Sequence, residues 1–112
     1  MQLDDDKTRL GHILEAAREA VGYVAEIDRA AFNANRPLQH AVVRCIEIVG
    51  EAAARLTPAL RDANPQIPWQ KIVATRNRIV HAYFDVDMDI IWATATVELP
   101  TLIHQVENIR AQ

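Results

Sequence analysis

Four polar side chains within one short stretch, Arg76, Asn77, His81 and Tyr83, are the densest set of reactive groups in the chain, arranged as Arg76-x4-His81-x-Tyr83. Arginine presents a planar, permanently charged fork that matches phosphate oxygens, and histidine moves a proton near neutral pH. Together they suit phosphodiester chemistry. With a ribose 2′-hydroxyl as nucleophile no metal is required: His81 would take its proton and Arg76 would stabilise the charge building on phosphorus. Such a site would cleave RNA and spare DNA.

The geometry depends on a helix. At about 100° per residue, Arg76 and Tyr83 project in nearly the same direction, and Asn77 lies one turn from His81. Arg76 and His81 are about 140° apart around the axis, a gap that a long guanidinium stem can swing across. One imidazole per chain leaves the departing oxygen without an acid. A two-fold dimer would supply a second His81 and double the positive charge in one cleft. Spacing alone does not decide between this site and the solvated side of an amphipathic helix.

The elements that must hold these residues read as helices. Ala, Ile, Leu and Val are abundant while glycine numbers 3 and aromatics 5%, a composition poor in turns. Apolar residues at Leu10, Ile13, Leu14, Ala17, Val21, Val24 and Ile27 predict a first helix from Asp4 to about Ala31, with aspartates at its start available as caps. Phe32 to Pro37 is a connection. A second helix from about Pro37 to Leu56 carries an apolar stripe wide enough to contact neighbours on two sides. Thr57-Pro58 opens a short turn to Ala63, and Asn64 to Pro68 is a proline-bounded linker. Pro68 then starts the helix bearing Arg76 and His81, ending near Phe84. The aspartates 85, 87 and 89 cap a last helix running to the C-terminus, with a kink expected near Thr96 to Leu99 because of Pro100. The expectation is all-α: an antiparallel up-and-down bundle of four long helices plus a short connecting helix, one domain over 1–112.

Composition narrows the function classes. The net charge of −3 argues against broad electrostatic adhesion to nucleic acid but leaves room for a small basic site. No signal-like segment or long apolar run is present, and the single Cys45 sits among Val42, Val43, Ile46 and Val49 as a small hydrophobe. A cytoplasmic protein without membrane contact is expected. His12, His40 and His104 lack metal-ligand spacing, so no metal or other cofactor is expected. Trp69 and Trp92 read as packing anchors. Glu51 on the second helix is a supporting candidate that could orient Arg76 or His81.

Beyond the motif, Ile48-Val-Gly-Glu-Ala-Ala53, Ile67-Pro-Trp69, Arg76-Asn-x3-His81-x-Tyr83-Phe84, Ile91-Trp92 and Leu99-Pro-x-Leu102 follow one another in an order that resembles the HepT family of HEPN-domain toxins. The resemblance covers essentially the whole chain. It implies a homodimeric, metal-independent endoribonuclease of a toxin-antitoxin pair, with Arg76 and His81 in the catalytic positions, Asn77 in the polar position after the arginine, and an RNA substrate such as a tRNA or mRNA. It also implies an MntA-like nucleotidyltransferase antitoxin that transfers AMP to Tyr83. The added phosphate would place negative charge within reach of Arg76 and His81 and obstruct the cleft. The competing readings are a non-catalytic nucleotide-binding or partner-docking module for a nucleotidyltransferase, and a purely structural dimerisation adaptor.

Overall fold

The computed structural model describes the backbone of residues 2–81 and 86–112 and the side chains of residues 5–80 and 86–112. Among these residues every regular element is helical: α1 (Gln2–Val24), α2 (Arg29–Asn33), α3 (Arg36–Ala54), α4 (Pro58–Ala63), α5 (Trp69–His81), α6 (Met88–Ala93), a π-helical turn (Thr94–Glu98) and α7 (Leu99–Ala111). The all-α bundle follows from the apolar periodicity. Leu10, Ile13, Leu14, Ala17, Ala20 and Val24 of α1 pack with Val42, Cys45, Ile46 and Val49 of α3 and with Leu99, Leu102 and Val106 of α7 in one core.

The wide stripe of α3 does what its width requires, packing α1 on one side and α5 on the other. Both contacts are antiparallel. Asp6 near the start of α1 meets Thr57 beyond the end of α3, while Ile79 and Val80 at the end of α5 share a groove with Arg36 and His40 at the start of α3. The Asp6 carboxylate is buried and accepts from the Thr57 backbone N–H at 2.9 Å and from its hydroxyl at 2.6 Å. Thr57 Oγ1 in turn accepts from Leu60 N–H at the head of α4. Asp6 thus works inside α1 as a tether to the α3–α4 corner, rather than as a cap of its own helix.

Two expectations need correction. The first helix stops at Val24 instead of Ala31, because Asp28 adopts an extended conformation and its side chain accepts from Ala31 N–H, starting the separate helix α2. Phe32, expected in a connection, is fully buried in α2 with its ring 5.1 Å from that of Trp92. The break near Pro100 is a π turn within a continuous helical run. Leu99 N–H donates to Thr94 O five residues back, and the hydroxyls of Thr94 and Thr96 donate to Ile90 O and Trp92 O. A widened turn accommodates the ring and missing N–H of a proline, and threonine back-bonding helps open it.

The start of α5 is pinned where expected. Trp69 is buried and its indole N–H donates to Asn64 O at 3.1 Å, while Asn64 Nδ2 donates to Leu60 O. Thr75 donates its hydroxyl to Lys71 O at 2.9 Å. The expected end of this helix near Phe84 lies outside the described residues.

What fixes α5 against α3 is Gly50. A Cβ built there would overlap Cβ and Cγ of Arg76 and lie 3.4 Å from Ile72 O, so the two backbones approach as only glycine permits. Gly11 of α1 has nothing within 4 Å of the same position. Gly50→Ala is therefore expected to destabilise the fold by about 1–3 kcal/mol through overpacking, whereas Gly11→Ala stabilises it by about 1 kcal/mol through helix propensity; urea unfolding of the two variants checks the opposite signs. Cys45 carries a second prediction, since burial first and Glu19 next push its thiol from 9.0 up to about 11, against Arg44. The group is raised in the folded chain, so its contribution to stability is complete below about pH 9 and is lost as pH rises through about 11. Urea midpoints of the wild type should fall across that window more steeply than those of Cys45→Ala.

Candidate active site

Helix α5 lies on the outside of the bundle. It buries Trp69 and Ile79 and partly buries Ile72 and Val73, while its outer face carries Gln70, Lys71, Asn77 and Arg78 together with the exposed Ala74 and Val80. Arg76 stands at the seam with α3, where Gly50 makes room for its stem. The Arg76 side chain is 31% exposed, with Nη1 donating to Asn77 Oδ1 at 2.8 Å and Nη2 4.0 Å from Glu51 Oε1. Its Nε is buried and has no hydrogen-bond partner among the described residues. The fork is therefore held at its base by packing and at its rim by two oxygens, with one inner donor still unmatched.

The structure brings together three of the residues singled out from the sequence: Arg76, Asn77 and Glu51. His81 closes α5 one turn beyond Asn77, so its backbone lies on the same element, while its side chain lies outside the described residues. Tyr83 also lies outside them.

Two participants escaped the sequence reading. Arg44, seven residues before Glu51 and so on the same side of α3, is 61% exposed and places Nη1 3.7 Å from Glu51 Oε1. One carboxylate is thereby shared between Arg44 and Arg76 without closing a tight hydrogen bond to either. Gly50 is the other. A seven-residue spacing on α3 would have signalled Arg44, but nothing in the sequence shows which turn of α5 faces it.

Glu51 also faces α1. With Arg9, His12 and Arg55 it lines a small cavity of about 80 Å³ on the other side of α3. Arg44 and Arg76 thus approach one carboxylate, and Arg9 and Arg55 share a cavity with the same residue, in a chain whose net charge is −3. Such local positive charge in an acidic protein suits a phosphate-bearing ligand more than it suits stability, since exposed ion pairs contribute little. Among the described residues no group of His, Cys, Asp and Glu could hold a metal ion, and no helix is long and apolar enough to cross a membrane.

Comparison with known proteins finds similarity along nearly the full chain. A family model described as "Ribonuclease HepT-like" matches residues 13–109. "Putative RNase MJ1380" of Methanocaldococcus jannaschii is 33% identical over 109 residues, covering 97% of this chain and 100% of that protein. "Probable ribonuclease HepT" of Thermococcus cleftensis is 33% identical over 101 residues, 87% of this chain and 92% of its own length. No solved structure matches. A family match across the α1–α7 core, with relatives alike along almost their whole length, places the chain in the HepT-like family of ribonucleases.

Proposed function

We propose that the protein is a metal-independent endoribonuclease toxin whose site is completed by a second copy of the chain, and whose activity is switched off by adenylylation of Tyr83. The observation that carries the reading is Arg76, its stem wedged over Gly50 and its guanidinium rimmed by Asn77 and Glu51, on the helix that ends in His81. A half-buried, pre-oriented fork meets a phosphate with less lost freedom than a free surface arginine.

The chemistry follows from the residue types. An imidazole of His81 takes the proton of the ribose 2′-hydroxyl, and that oxygen attacks the adjacent phosphorus. Arg76 stabilises the negative charge on the non-bridging oxygens, and the bond from phosphorus to the 5′-oxygen breaks. The departing oxygen takes a proton from His81 of the second protomer, leaving a 2′,3′-cyclic phosphate on one product. Asn77 and Glu51 act on the guanidinium and orient it. A two-fold axis that faces the two α5 helices supplies both imidazoles.

The proposed off-switch uses the same electrostatics. An MntA-like nucleotidyltransferase would let the Tyr83 oxygen attack the α-phosphorus of ATP, with pyrophosphate leaving. The resulting AMP brings acceptor oxygens and negative charge to the basic cluster meant for RNA.

Purified protein is expected to cleave RNA in EDTA and to leave cyclic-phosphate ends. His81→Ala should reduce the rate by at least about 100-fold, as loss of a general base does; cleavage at the wild-type rate in that variant would overturn the mechanism. Coexpression with a genomically adjacent nucleotidyltransferase should add the mass of AMP to the wild-type chain and leave Tyr83→Phe unmodified, as read by intact-mass spectrometry.

A further inference from the structure

Arg76 is one end of a longer basic line. On α3, Arg36, His40 and Arg44 recur every four residues, so they climb one side of the helix in steps of about 6 Å. All three are exposed. Arg36 and His40 rim a groove of about 750 Å³ between the first half of α3, the last turn of α5 and the segment leading into α6. The apolar part of its floor is formed by Val43, Ile79, Val80 and Met88, and among the described residues its α5 wall reaches Val80, the residue before His81. Arg44 stands between the groove and Arg76, joined to the latter through the shared Glu51.

The groove also offers hydrogen-bonding edges. Gln39 donates its amide N–H groups to Phe32 O at 2.9 Å and Asn33 O at 3.1 Å, which leaves its own oxygen as an acceptor at the wall. Glu47 supplies a second acceptor. Among the described residues neither Arg36 nor His40 enters an ion pair. Cations on the rim, an apolar floor and acceptors in the wall are complementary to a phosphate, a base face and the N–H edge of a base, in that order.

Resting on the RNA-cleaving reading, we propose that this line is the track of a single RNA strand. The groove holds the nucleotide next to the scissile one, with Arg36 and His40 at its phosphate and the base over Val43, Val80 and Met88. Arg44 contacts the phosphate between the groove and Arg76. The site would therefore take single-stranded RNA and exclude a duplex, whose bases are stacked away from such a floor.

The test uses the full chain carrying His81→Ala, so that a labelled oligouridylate is bound and not cut, with fluorescence anisotropy read across a salt series. Arg36→Gln and Arg44→Gln should each lower the slope of log K against log salt by about 0.7, the value for one phosphate contact on a single strand. The double variant should bind about tenfold more weakly. Arg110→Gln, on the last turn of α7, is the control for nonspecific charge and should change neither quantity. Unchanged affinity and slope in the double variant would overturn the track. So would loss of the dimer in Arg36→Gln by sedimentation, which would make the groove a contact between copies. If the protein with His81 intact fails to cut RNA while the double variant still loses affinity, the track stands and the cleavage reading falls.

Discussion

The close approach of α3 and α5 at Gly50 is the constraint on which the rest of the site depends. Without a side chain at that position, the stem of Arg76 lies directly against the α3 backbone, and its guanidinium reaches the rim where Asn77 and Glu51 stand. A helix pair held apart by an ordinary residue would leave the same arginine free to sample solvent. Packing converts a flexible cation into a directed one, the usual way a binding group is pre-organised.

The rest of the bundle serves that contact by fixing α3. Helix α1 covers one side of it and is tied to its far end by the buried Asp6 carboxylate on Thr57. Helix α5 contributes few fully buried residues of its own, with Trp69 as the anchor at its start. Ion pairs link elements that share little core: Lys71 reaches Glu98 of the π turn at 2.6 Å, and Arg29 of α2 reaches Asp89 of α6 at 2.6 Å. Exposed pairs of this kind set register more than they add stability.

Electrostatically the seam is mixed, with Glu51 set among arginines. Glu51 is the carboxylate placed between Arg44 and Arg76, and it also lines the cavity of Arg9, His12 and Arg55. Its distances of 3.7 and 4.0 Å leave it uncommitted to either partner, while Arg76 Nε lies buried without a hydrogen-bond partner among the described residues.

The sequence by itself determined the class of fold, the helix carrying Arg76 and His81, and the family. Apolar residues at three-and-four spacing demand buried helical faces, Pro58, Pro68 and Pro100 mark breaks, and a run of matching blocks needs no coordinates to be read. The short helix at Arg29–Asn33 was not legible, because Asp28 competes for the chain as a cap inside an otherwise continuous apolar pattern. The π turn was visible only as a proline within a helix, since its form depends on which carbonyls Thr94 and Thr96 occupy. Only the tertiary structure decided which turns of α3 and α5 meet, and with them the partnership of Gly50, Glu51 and Arg44 with Arg76. Helical periodicity fixes the direction of a side chain around its own axis, but the sliding register of one helix on another is set by packing across the whole interface.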